Sequence, residues 1–296
     1  NPRGRLRDPL TGEVVTPALP GGKAFVVGAE EDPRRAFARY LTDPSNPMFA
    51  RNIANRVWFW LFGKGIVHEP DDIRSTNPPS NPPLLDYLTK EFLQSGYDFR
   101  SLFRLILNSE TYQRSSKISK WNSFDDRYFS RYYPKRLPAE VLLDAVNLIT
   151  GTFDSFQSRI PEPYTFLPAH HRAVQLADGS IGNPFLELFG RPSRDCSYES
   201  ERSCELSLRQ VLHFLNSSHI ESKIARSPFL RRLIKEKRPL KDAIEEIFLA
   251  TLSRFPTERE LNLIVKGFSE KGIPRIKAFQ DLLWALINTK EFLFNH

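Results

Sequence analysis

A chain of 296 residues, 40% hydrophobic and 26% charged, has ordinary globular composition and can bury one large core or two small ones. No run reaches the roughly 18 apolar residues of a membrane-crossing helix, which excludes a transmembrane span from this sequence. The net charge of +7 is local, because residues 206–296 hold 16 Lys/Arg against 10 Asp/Glu while the rest is nearly balanced.

Residues 1–30 are rich in Pro, Gly and Arg and read as an extended arm or linker from a preceding domain, with Asn1 an internal point of a longer protein. Asp32-Pro33 and Asn46-Pro47 each place an N-cap residue before Pro, which predicts helices near 33–41 and 47–62, the second stopped by Gly63 and Gly65. Pro70 and the Asn77 to Pro83 string predict a rigid loop. Leu84, Leu85, Leu88, Phe92 and Leu93 then form an amphipathic helix ended by Gly96, and another helix runs over about 101–112.

The stretch 138–149 reads as a helix with Val141, Leu142, Ala145, Leu148 and Ile149 inward and a polar outer face. From Gly151 to about Ser203 no periodicity is long enough to assign, and a loop of that length is either functional or hides elements. Helices resume over 206–216, 228–236, 240–253, 258–271 and 275–293, with Thr257 and Glu260 as a capping box.

One internal echo links the two ends of the chain. Leu85, Leu88, Phe92 and Gly96 align with Leu261, Ile264, Phe268 and Gly272, and Asn108-Ser109 and Tyr112 align with Asn288-Thr289 and Phe292. The expected architecture is all-α: packed helical hairpins in one helical domain over 31–296, with a long irregular loop at about 151–205.

Arg56 shares a helical stripe with Phe49, Ile53 and Trp60, so its charge needs a partner, and Asp71 or Asp72 can supply one. With Arg74 and Asn77 these residues make a structural polar lock on a Pro-braced loop. The same loop, with His68 and Glu69, also offers a carboxylate pair for acid/base work or a hard cation. Glu140, Asp144 and Asn147 fall on one helix face at i, i+4 and i+7, with Arg136 near enough to neutralise a carboxylate.

A third cluster holds Arg191, Arg194, Glu199, Glu201 and Arg202, just before a helix whose polar face carries Arg209, His213 and Asn216. The weak catalytic candidates are therefore Asp71, Asp72, Glu140, Asp144 and Glu201, while Arg136 and Arg202 join the lock residues. A basic run of Lys223, Arg226, Arg231, Arg232, Lys235 and Arg238 is a possible anion-binding face or a solvated one.

Cys196 and Cys204 permit one disulfide but lack metal spacing. The six histidines form no H-x-x-x-H pair, so no metal site is expected. No G-x-S-x-G elbow, P-loop or G-x-G-x-x-G is present either, which removes the strongest signals for common nucleophilic and nucleotide chemistry.

The strings NRVWFWLFGKGIV, DDIRSTNPPSNPPLLDYL, SGYDFRSLFRLILNSETYQRSS, KRLPAEVLLDA, NPFLELFGRP, SLRQVLHFLN and DLLWALINTKEFLFNH closely resemble the planctomycete-specific domain of unknown function 1553. The resemblance is collinear over about 8–296. It implies the C-terminal domain of large exported proteins, in the periplasm or cell envelope, preceded by a companion domain and sometimes by a haem-binding cytochrome c-type or carbohydrate-binding-like domain. Any haem would then sit in a preceding domain, with no cofactor in this one.

Asp71, Asp72, Arg74, Asn77, Glu140 and Arg202 keep the family's residue types. Asn81 stands where the family often has His, and Tyr198 and Ser200 where it often has Cys-x-Cys. The leading expectation is a non-catalytic docking domain that binds the N-terminal domains of its parent protein or a cell-envelope partner, with no nucleic acid. A carbohydrate-active or other hydrolase-like domain is the alternative, and an anion-binding module the third reading.

Overall fold

The computed structural model describes residues 7–15, 18–19, 25, 27, 31–46, 48–156, 158, 167–168, 170–177, 179–194, 196, 198–203, 205–270 and 272–295. Among these residues the regular structure is helical apart from one short two-stranded pair, so the fold is all-α. Contacts group the chain into two compact units, one of residues 1–113 with 126–128 and one of residues 114–125 with 129–296.

The first unit contains α1 (Pro33–Thr42), α2 (Phe49–Phe62), α3 (Pro82–Gln94) and α4 (Phe99–Leu107). Asp32 accepts from the Arg34 amide to open α1, and Asn81 accepts from the Leu84 amide to open α3. The helix expected from residue 47 is α2, which begins at Phe49, and the Asn46 side chain accepts from the Met48 amide just before it; Pro47 lies outside the described residues. Gly63, at φ 76°, ends α2 in the left-handed conformation a Cβ disfavours. α2 packs on α3 and α4 around Val57, Trp58, Phe62, Leu85, Leu88, Phe92, Leu102 and Ile106, all buried.

In the second unit, α5 (Ala139–Thr150) packs against α6 (Pro184–Leu188), α8 (Ser218–Ala225) and α9 (Pro228–Lys235). α7 (Leu208–Asn216) joins α8, and α10 (Leu240–Leu252) packs on α11 (Glu258–Glu270) and α12 (Arg275–Ile287). The core runs through Leu142, Leu143, Val146, Phe185, Leu230, Ile244, Ile247, Phe279 and Leu283. A two-stranded antiparallel pair, β1 (Lys135–Arg136) with β2 (Phe294–Asn295), ties the chain's end to the start of α5.

Three expectations are corrected here. The helix read over 275–293 is two: α12 stops at Ile287 and Thr289 caps α13 (Lys290–Leu293), because its hydroxyl takes the Phe292 amide. The stretch read as irregular holds α6, capped by Asn183, and short 3-10 turns at Ala173–Gln175 and Glu199–Glu201, all too short for periodicity to reveal. α8, unread before, is an eight-residue helix capped by Ser217.

The internal echo has a geometric counterpart in each unit. Asn108 and Asn288 both close a helix at φ −84°, and each following hydroxyl residue donates to the carbonyl three back, Ser109 to Ile106 at 2.6 Å and Thr289 to Leu286 at 2.7 Å. Each hydroxyl then receives the amide three ahead, from Tyr112 and from Phe292. Gly96 and Gly272 both sit at positive φ.

Candidate functional site

In the first unit the polar lock is centred on Asn55 and Arg56. The wholly buried Asn55 amide donates to the Val67 carbonyl and accepts from its N–H, both at 2.9 Å, so one side chain replaces a strand-like pair and pins the loop after α2. A Cβ on Gly65 would lie 2.2 Å from that same carbonyl, so only glycine fits there. Arg56 pairs with Asp71, while Asp72 turns to Arg74 at 2.9 Å and its carbonyl accepts from Asn77.

Trp60, expected inward with Arg56, is 41% exposed, because α2 buries the face of Ala50, Ala54, Val57 and Trp58 and leaves Arg56 at its border. The recess beside this loop, about 280 Å³, is lined by Lys64, His68, Asn77 and Ser80 among others, but not by Asp71 or Asp72. The two aspartates thus take different partners, Arg56 for Asp71 and Arg74 for Asp72.

In the second unit α5 buries Leu142 and Ile149 as expected, but its polar face also points inward, against expectation. Glu140, Asp144 and Asn147 are 3%, 9% and 2% exposed, whereas Val141 and Leu148 are 40% and 77% exposed. The helix turns this face in because three partners from distant segments meet it.

Glu140 accepts two hydrogen bonds from the Arg202 guanidinium, at 2.8 and 3.1 Å, and a third from Arg194. Burial works to raise its pKa, but the Arg202 bonds and the two positive charges outweigh burial and hold the carboxyl below its ordinary value. Asp144 accepts from the Ala173 and Val174 amides at 2.7 and 3.1 Å, capping the first 3-10 turn. Arg136 donates to the Phe189 and Ser203 carbonyls, both at 2.9 Å. Glu201 accepts from Cys196 at 2.8 Å; a disulfide would need Cys204, which lies outside the described residues.

Asn147 opens a longer chain of polar groups. It accepts from Lys223 Nζ at 2.7 Å, and that ammonium also lies 2.9 Å from Asp154. Asp154 in turn meets His219 Nε2 at 2.9 Å, and His219 Nδ1 lies 3.2 Å from His213 Nε2. Burial pushes the Asp154 carboxyl up, but the His219 and Lys223 hydrogen bonds win and bring it down to about 2. His213 is held below its ordinary value by burial and then by the charge on His219.

An ionised Asp154 accepts from His219 Nε2–H, and the protonation of His219 sets which ring donates across the His219 Nδ1–His213 Nε2 contact. Such a row can pass a proton. Among the described residues no hydroxyl or thiol hydrogen-bonds either ring, and the His213 ring stands edge-on to Phe185 and Phe189. No group of three or more His, Cys, Asp and Glu among them is placed to hold a metal ion.

Sequence reasoning missed Asp154, His219 and Asn55. One signal was available, since Lys223 falls between Ile220 and Ile224 on the apolar stripe of α8, the argument already used for Arg56. The basic run is thereby corrected: Lys223 is 5% exposed and committed to Asp154. Arg232 and Arg238 both grip Glu236 and Glu246, because α9 and α10 bring these side chains together. Arg226, Arg231 and Lys235 are exposed.

α7 shows an opposite arrangement. Phe214 and Gln210 face the core, while Leu208, Val211, Leu212 and Leu215, at i, i+3, i+4 and i+7, are 72%, 52%, 44% and 39% exposed. This is a core-type stripe facing outward.

A family model, PSD1, protein of unknown function (DUF1553), matches residues 33–268, and the chain belongs to that family. No curated protein and no solved structure matches it.

Proposed function

We propose that this member of the family is a non-catalytic helical docking domain of a larger exported multidomain protein, and that it seats α7 on the domains that precede it in that protein. The outward stripe of Leu208, Val211, Leu212 and Leu215 carries the reading, since a helix laid into a partner groove uses that spacing of anchors. The carboxylates support it from the other side. Asp71, Asp72, Glu140 and Asp144 are each engaged by an internal cation or backbone amide, which suits a scaffold better than a hydrolytic centre. In this reading any haem chemistry belongs to a preceding domain.

The test is titration of this chain with the preceding domains of its parent protein. Saturable binding that Leu212→Asp weakens at least tenfold is the expected outcome, a buried leucine anchor being worth about 2 kcal/mol. Binding that L212D leaves unchanged would refute the assignment to α7.

The carbohydrate-active or other hydrolase-like reading draws on a different observation, the Asp154–His219–His213 row. It requires turnover of a polysaccharide that is lost in His213→Phe while the fold is kept.

A further inference from the structure

The segment 114–125, between α4 and β1, shows a combination of side chains that neither the core nor the docking helix accounts for. Ile118 is 68% exposed, Trp121 86% and Phe124 96%, so three large apolar groups stand in water within seven residues. The segment is not a loose coil. The Asn122 side chain accepts from the Ser119 amide at 2.7 Å, the Ser119 hydroxyl accepts from the Trp121 amide, and the Asn122 and Asp125 amides return to the Ser119 and Asn122 carbonyls. Two successive turns thus hold Lys120, Trp121 and Phe124 at a formed tip.

From Arg114 to Phe124 the charges have one sign: Arg114, Lys117 and Lys120 are exposed and no carboxylate occurs. Asp125 and Asp126 follow directly, Asp125 taking the Ser130 amide at 2.7 Å and Asp126 exposed. The Lys120 ammonium lies 4.7 Å from the Trp121 ring centre, so the cation and the aromatic face are presented together.

We infer that the 114–124 tip is a contact for an anionic lipid surface. The chemistry selects that partner. An indole prefers the boundary between headgroups and acyl chains, and Phe and Ile gain by leaving water there. Lysines beside them meet the negative surface potential of anionic headgroups, each changing partitioning about fivefold. No helix of the described residues is long and apolar enough to cross a membrane, and the contact inferred is of the tip with the headgroup region. The inference concerns a different segment from α7 and does not rest on the docking reading.

The test is co-sedimentation of the full chain with vesicles of phosphatidylcholine alone and of phosphatidylcholine mixed with phosphatidylglycerol. The chain is expected to bind the mixed vesicles, to release as ionic strength rises, and to shift its tryptophan emission to shorter wavelength, a shift absent in Trp121→Phe. Lys117→Gln with Lys120→Gln should lower partitioning roughly 30-fold on that per-lysine figure. Trp121→Ala with Phe124→Ala should lower it at least tenfold. All four side chains are exposed, so the urea midpoint should be unchanged in every variant and should separate lost binding from lost folding. Equal binding to neutral vesicles, no binding to either, or variants that sediment like the parent would overturn the inference. So would capture by a polysaccharide matrix without vesicle binding, which would assign the aromatics to sugar rings.

Discussion

Replacing Lys223 by Met keeps the stem of the side chain and removes one charge from a closed row. The lysine side chain is 6% exposed and its partner Asp154 15%, and the same ammonium satisfies Asn147. In K223M the carboxylate keeps only His219, and the Asn147 oxygen loses a buried donor. Two routes give the size of the effect. Removing one partner of a buried pair costs about 3–5 kcal/mol. The descent of Asp154 from 3.8 to about 2 corresponds to about 2.5 kcal/mol of native-state stabilisation, shared between Lys223 and His219.

A loss of about 3 kcal/mol follows, or roughly 6–12 °C in melting temperature for a unit of this size. Urea unfolding at pH 7 measures it, with Asp154→Asn and the double variant completing a cycle. The expected coupling between the two positions is above about 1 kcal/mol. Lys235→Met, in the same basic run but exposed, should stay within about 0.5 kcal/mol of the parent. If K223M and K235M cost the same, the buried row does not hold the fold as described.

Three further outcomes are expected. Because His213 is held below its ordinary 6.5, the unfolded chain takes up a proton there before the folded one does. Its part of stability is therefore complete above pH 6.5 and falls as the pH drops toward the folded value, so the urea midpoint should decline below pH 6.5 less steeply in His213→Phe than in the parent. Glu140→Gln leaves two arginines without their anion and should cost about 3 kcal/mol, with new protease cuts in 190–203; an unchanged digestion pattern would count against Glu140 as the anchor of that segment. Gly190→Ala should cost at least about 2 kcal/mol by thermal melting, since Gly190 sits at φ 79° and a Cβ would lie 2.2 Å from the Ser203 carbonyl.

The long helices were legible because their caps and apolar spacing are local. Asp32-Pro33 opens α1 and the Thr257–Glu260 box opens α11, where the two side chains exchange hydrogen bonds with each other's amides. Arg56 was legible as a charge needing a partner, and Asp71 is the partner the fold supplies. The orientation of α5 was not legible. Its apolar residues outnumber what one stripe can bury, so periodicity alone could choose Val141 and Leu148 as readily as Leu143 and Val146. The choice is made by Arg202, Lys223 and the 173–174 amides, which arrive from segments 29 to 76 residues away and leave no trace in local spacing. The same distance hid the His213 row: Asp154 and His219 are 65 residues apart and share no motif.

What Glu140, Asp144 and Asn147 have in common explains why α5 tolerates three polar side chains facing a core. Each is a fixed acceptor that only one distant donor set satisfies, and left alone it would cost more than a mispacked methyl. Apolar side chains in those places would bury as well, often with no loss of stability, but they would accept any neighbour of the right volume. Glu140 fixes where the 190–203 segment crosses α5, Asp144 fixes the 173–175 turn one helical turn further on, and Asn147 with Lys223 fixes α8 one turn beyond that. The three contacts lie along one helix at the spacing of its turns, so α5 sets the position of each segment laid across it. The same logic in the first unit makes Asn55 the residue that registers the loop after α2, with Arg56 and Asp71 closing it. In both units these polar residues hold a distant segment at a defined place on a helix.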